Sequence, residues 1–246
     1  GWFFRTAPSD ARQGPVLADI AISRGQTDMA VTWSNSDYGK GLADAFITAY
    51  EAAGGTITAK AGHEDDKADY SADVAALSAG GSTTLAVLGY ANTGGRGIIA
   101  ASEDTGAFTD YVFGDGMISE LTSEAVADGS WGTMPSPDAT LGANWKAVAE
   151  AGGVDGSGVF SAESYDAMAL IILASQAAGS TDRAAIQAEV LNVANAPGIQ
   201  CDAGDLGTCL KYISGGLPVD YVGATGVELD AGGTANGSYA EREVIG

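Results

Sequence analysis

The chain has 246 residues, 46% of them hydrophobic, with 32 acidic against 11 basic side chains and a formal net charge of -21. That length and apolar content suffice for one large domain or two small ones and exclude a disordered chain. The scarcity of Lys and Arg excludes nucleic acid and an anionic lipid surface as partners, and the acidic excess reads as a solubilising surface.

Gly1 to Ala7 reads as an extended lead-in stopped by Pro8, after which Ser9 or Asp10 caps a helix through Val16, Leu17 and Ile20 to Gly25. Met29 to Trp33 is an apolar, β-rich run, and Ser34, Asn35, Ser36 and Asp37 interrupt it with helix-capping residues. A helix should therefore start near Tyr38, with Leu42, Ala45, Phe46 and Ala49 forming its apolar stripe. Gly54 and Gly55 close it, and Thr56 to Ala61 alternates as the next strand. His63 to Asp66, HEDD, has no second His to make a metal site and reads as a solvated turn. Tyr70 to Leu77 makes a short helix, Leu85 to Leu88 a strand, Gly95 to Thr105 a helix, Tyr111 to Phe113 a strand and Ser119 to Ala127 a helix. Four strand-helix units in succession predict a doubly wound parallel sheet, in which ligands bind outside the carboxyl ends of the strands. The loops at those ends carry Tyr38, Tyr90 and Asp115.

After Gly129 the pattern changes. Trp131 to Met134 is one more strand, Pro135 and Pro137 mark a boundary, and helices are predicted over Leu141 to Ala151, Ser161 to Ala178, Arg183 to Ala194 and about Asp205 to Ser214. The apolar positions Met168, Ile171 and Ile172 call for a sheet to cover, yet only short strands are offered, at Val219 to Val222, Gly226 to Leu229 and Tyr239 to Ile245. No run reaches the roughly 18 apolar residues of a membrane span, so membrane insertion is not expected; the longest candidate, Ala167 to Ala178, is broken by Ser175 and Gln176. Cys201 and Cys209 lack the spacing of a metal or redox pair and are expected to form a disulfide, which implies an oxidising compartment. Nothing assembles into catalysis: there is no GxSxG elbow, no Cys-His pair and no GxxxxGK loop, and ANTGGRG at Ala91 to Gly97 is too irregular for a dinucleotide fingerprint. A binding protein without metal or cofactor is the expectation, not an enzyme.

Several stretches together resemble the type I periplasmic binding proteins, and within them the branched-chain amino acid (leucine-isoleucine-valine) binding proteins of ABC transporters. They are FFRTAPSDARQG at Phe3 to Gly14, NSDYGKGLADAF at Asn35 to Phe46, LGYANTGG at Leu88 to Gly95 and VFGDG at Val112 to Gly116. The later ones are ESYDAMAL at Glu163 to Leu170, NAPG at Asn195 to Gly198 and VDYVGATGVELDAGGTANGSY at Val219 to Tyr239. The resemblance implies two doubly wound α/β lobes with a hinge, closing on a small ligand. Residues 1–134 with about 236–246 correspond to the second lobe, and residues 135–235 to the later, mostly helical part of an incomplete first lobe. The family's upstream stretch, which supplies that lobe's sheet and holds the ligand carboxylate, is not among these residues. Tyr38 and Tyr90 match the ring residues of the pocket, and Asp115 matches the acid that takes the ligand ammonium. Most family members resemble this with Glu, so the shorter Asp should shift the preferred ligand. The function implied is periplasmic capture of an amino acid or related amide and its delivery to ABC permease subunits, by a protein that is monomeric when complete. The other reading kept open is a ligand-sensing domain of a receptor or regulator that binds an amide, urea or other small polar solute.

Overall fold

A computed structural model describes residues 1–121 and 128–245. The chain divides into two compact units, Asp10–Met134 with Tyr239–Gly246, and Gly1–Ser9 with Pro135–Ser238.

The first of these is a doubly wound sheet. In chain order it comprises α1 (Asp10–Ser23), β1 (Asp28–Ser34), α2 (Asp37–Ala52), β2 (Thr56–His63), α3 (Ser71–Ser78), β3 (Thr84–Leu88), α4 (Arg96–Thr105), β4 (Asp110–Phe113), α5 (Asp115–Leu121) and β5 (Trp131–Pro135). After the other unit, β8 (Tyr239–Glu243) returns to the sheet, whose order is β2-β1-β3-β4-β5-β8. The pairs β1-β2, β1-β3, β3-β4 and β4-β5 are all parallel. Because side chains alternate along a strand, each central strand feeds two cores. Met29, Val31, Ala86, Leu88 and Val112 pack with Leu17 of α1 and Leu42 and Phe46 of α2. Ala30, Leu85, Val87 and Phe113 pack with Val74 and Leu77 of α3, Ile98 of α4 and Met117 of α5. Both faces are covered, which is why these strands read as continuous apolar runs. Gly14 lets α1 lie on α2, since a Cβ there would stand 2.5 Å from the Phe46 nitrogen. The part of the predicted 119–127 helix beyond Leu121 lies outside the described residues.

The second unit contains α6 (Ala139–Ala151), α7 (Ser161–Ala178), α8 (Arg183–Ala194), β6 (Ile199–Asp202), α9 (Leu206–Ser214) and β7 (Val219–Gly223). Its sheet is the parallel pair β6-β7. β6 was not predicted: IQCD alternates over only four residues, with Ile199 and Gln200 exposed, and it is the pairing with β7 that makes it a strand. Gly1–Ser9 packs here through Arg5, whose N-H donates to the Gly233 carbonyl at 2.7 Å. Leu170, Leu173 and Ala174 of α7 are buried with Val190, Val193, Tyr221 and both cysteines. Met168, Ile171 and Ile172, on the other side of α7, are 57%, 50% and 37% exposed, so within this unit they find no sheet to cover. The sulfurs of Cys201 and Cys209 are joined, across a Cα separation of 6.1 Å.

Two expectations are corrected. Gly226 to Leu229 is not a strand: Gly226 takes φ +72°, and the Asn195 side chain occupies the backbone of Leu229, donating to its carbonyl and accepting from its N-H, both at 2.8 Å. His63 to Asp66 is a turn at Asp65 and Asp66, with Glu64 and Asp66 exposed, but His63 itself is not solvated. His63 ends β2 at 1% exposure, its Nδ1 lies 2.8 Å from the Thr32 hydroxyl, and the Ser34 hydroxyl donates to Asp65 at 3.0 Å. Among the described residues no group of His, Cys, Asp and Glu could hold a metal, and no helix is long and apolar enough to cross a membrane.

Candidate functional site

The strand order reverses direction around β1 and β3, and in an open α/β sheet this switch point is where the carboxyl-end loops part to leave a crevice. The loop after β1 is shaped by Ser36, whose hydroxyl accepts the Gly39 N-H at 3.1 Å as the N-cap of α2. That cap sets Tyr38 in the first turn of α2. The loop after β3 carries Tyr90, and the two rings meet with centroids 4.9 Å apart and planes inclined at 35°. Beyond β4, after Gly114, Asp115 opens α5 and accepts a hydrogen bond from the Tyr38 hydroxyl at 3.0 Å. That hydroxyl in turn accepts the Gly116 N-H at 3.2 Å. All three residues singled out in the sequence thus converge on one edge of the sheet. Gly116 is required there, because a Cβ would lie 2.5 Å from the Gly89 carbonyl and 3.0 Å from the Tyr90 ring.

The electrostatics follow from burial beside acids. Asp115 is 8% exposed; burial pushes its carboxyl above the usual range, opposed by hydrogen bonds from Gln13, Tyr38 and the backbone. Tyr38 is pushed well above the ordinary phenol value, by burial first and then by the Asp115 charge. Tyr90, 45% exposed, is raised by burial and then by Asp115, Asp10 and Asp65. Three carboxylates therefore act on a half-open aromatic pair. Chemically, the exposed ring faces could accept an apolar group and Asp115 a charge-assisted hydrogen bond.

Sequence reasoning missed Gln13, which is fully buried and donates through Nε2 to the Thr133 carbonyl at 3.1 Å and the Thr133 hydroxyl at 3.2 Å. A signal was present, since Gln13, Leu17 and Ala21 recur every four residues on the buried stripe of α1. Asp10 and Asp65 were also missed; nothing local distinguishes them among 32 acidic residues.

The sequence profile of the periplasmic binding protein family matches residues 1–199. The chain belongs to that family. No curated protein matches the sequence. Among solved structures, a leucine binding protein from Thermotoga maritima is 20% identical with a TM-score of 0.76, the match covering 98% of this chain and 64% of that one. An ABC transporter substrate-binding protein from Desulfitobacterium hafniense, in complex with Leu, is 19% identical with a TM-score of 0.63 over 98% of this chain and 64% of that one. An ABC transporter solute binding protein from Rhodopseudomonas palustris, in complex with 4-hydroxybenzoate, is 18% identical with a TM-score of 0.73 over 98% and 62%. At these identities the likeness is one of fold, and the fold is that of the type I periplasmic binding proteins. This periplasmic binding protein chain spans less than two thirds of the length of those structures, and the family is one of solute binding rather than catalysis.

Proposed function

We propose that this chain is the greater part of an extracytoplasmic solute-binding protein that captures a small amino acid of the branched-chain type and hands it to the permease of an ABC importer. The observation that carries the reading is the Tyr38-Tyr90-Asp115 cluster at the switch point of the sheet. The ligand ammonium is assigned to Asp115, whose charge is strengthened as a partner by its near-complete burial. The apolar side chain is assigned to the faces of Tyr38 and Tyr90. The acidic surroundings favour a ligand with a positive group over a bare carboxylate such as the 4-hydroxybenzoate of one structural neighbour. Sensing by a receptor or regulator would use the same site, and the gene neighbourhood of permease and ATPase subunits separates the two uses.

The test is calorimetric titration with leucine, isoleucine, valine, benzoate, 4-hydroxybenzoate, acetamide and urea. Binding of the amino acids that is lost with their N-acetyl derivatives, which carry no ammonium, supports the assignment. Equal affinity for benzoate or for the acetylated compounds overturns it.

A further inference from the structure

A tyrosine hydroxyl has one proton to give and lone pairs to accept with, and around Tyr38 the neighbours decide where that proton points. The Gly116 N-H lies in the first turn of α5, where helix N-H groups have no partner within the helix, and it donates to the Tyr38 oxygen at 3.2 Å. On the other side stands Asp115 Oδ1, at 3.0 Å. An N-H cannot accept and an ionised carboxylate cannot donate, so the Tyr38 proton is committed to Asp115. The turn has room for this hydroxyl because of its glycines. A Cβ on Gly114 would stand 2.9 Å from the Tyr38 oxygen, and one on Gly116 would stand 3.2 Å from Cε1 of the ring. Tyr90 differs: it is 45% exposed, its ring lies against Tyr38, and its hydroxyl makes no hydrogen bond among the described residues.

We propose that the Tyr38 hydroxyl is a positioning group for the ligand-binding acid: bonded to both Asp115 and Gly116, it ties the carboxylate to the first turn of α5 and holds it for the ligand, and only the Tyr38 ring is left for ligand contact. This deepens the proposed function and rests on it only for the ligand consequence. A donor to the charged form also keeps Asp115 ionised against the burial that raises its carboxyl. The titratable groups beside the pair are Tyr90, whose ring meets Tyr38, and Asp10 of α1, whose charge acts on Tyr38. Removing the Tyr38 hydroxyl therefore frees the carboxylate to turn and moves it toward its neutral form, which cannot pair with an ammonium.

The decisive measurement is the carboxyl carbon resonance of Asp115 against pH in the 246-residue chain, wild type beside Tyr38→Phe, which keeps the ring and removes the hydroxyl. The Asp115 midpoint should rise by about 0.5 to 1 pH unit, the effect of losing one donor to a charged acceptor. A lowered or unmoved midpoint overturns the proposal, because a tyrosine that served as a ring alone could be replaced by phenylalanine with no effect on the acid. Tyr90→Phe removes the neighbouring hydroxyl and should leave the midpoint in place; an equal rise there would show that the polarity of the site, and not the Tyr38 bond, sets the acid, and would overturn the proposal too. Tyr38→3-fluorotyrosine, whose hydroxyl is the stronger donor, should lower the midpoint, and it carries the test should Tyr38→Phe not fold. With L-leucine as probe, Tyr38→Phe should weaken binding about fivefold or more in the wild-type chain and under about twofold in Asp115→Ala, because the hydroxyl acts through the acid. Equal losses in both backgrounds would put the hydroxyl on the ligand itself and overturn the proposal. Should Asp115→Ala leave leucine affinity untouched, the ligand assignment falls while the midpoint shift still decides the role of Tyr38.

Discussion

Asp115→Asn separates what this acid does for binding from what it costs the fold. The replacement keeps the volume of a side chain that is 8% exposed and leaves an oxygen for the Tyr38 hydroxyl, now 3.0 Å from Oδ1; only the charge is removed. Because burial raises the carboxyl above its unfolded value, near 3.9 in a free chain, the stability that this group contributes is fully present below the unfolded value. It is lost as the pH rises through the folded one. At pH 7 the ionised Asp115 is therefore a liability, and the variant should melt higher than wild type, the gap closing as the pH falls through the carboxylate range. Binding should move the other way. Losing the charged partner of a ligand ammonium in a dry site costs about 2 to 5 kcal/mol, or about thirtyfold to several thousandfold in affinity. Thermal melts from pH 3 to 8 and calorimetry with leucine read both quantities. Unchanged affinity refutes the ammonium role, and a lower melting temperature at pH 7 refutes the claim that burial of the charge is the dominant cost.

Reduction of Cys201–Cys209, which closes a loop of sequence separation 8, should cost roughly 2 to 3 kcal/mol by loop-closure entropy, read as a lowered melting temperature with a mass gain of about 2 Da; two alkylated thiols in native protein would contradict the bond. His63 is buried and its imidazole is held below the ordinary value by desolvation, so its contribution to stability is present above about pH 6.5 and fades as the pH falls through the depressed folded value. His63→Gln, which keeps a partner for Thr32, should therefore flatten the acid side of the stability curve, and an identical curve would show that His63 does not titrate in the fold. On α7, Leu173→Ala at 0% exposure should cost about 2 to 5 kcal/mol in urea unfolding. Ile171→Lys at 50% exposure should stay within about 0.5 kcal/mol, and a large loss there would reveal that its outer face is packed.

Local signals sufficed for much of the molecule. Apolar runs bounded by Gly and by capping residues determined β1, β3 and β4 and the helices between them, because a doubly covered sheet and an amphipathic helix leave their periods in any short window. Strand-helix alternation then put the ends of those strands on one edge, which is why Tyr38, Tyr90 and Asp115 could be named without coordinates. Contacts between distant residues are different, since no short window records them. Gln13 and Thr133 stand 120 residues apart and meet only because β5 lies beside β4 and α1 packs over that face. β6 exists because β7 pairs with it, and Gly226 to Leu229 fails as a strand because Asn195 takes its backbone. His63 looked solvated among acids, yet the end of β2 carries it inward against Thr32 of the neighbouring strand. Composition and spacing placed Tyr38, Tyr90 and Asp115 at strand ends, and only the family resemblance of their motifs marked them as candidates; burial, register and the order of strands decided which of them touch, because hydrogen bonds and desolvation depend on distances that only the folded chain sets.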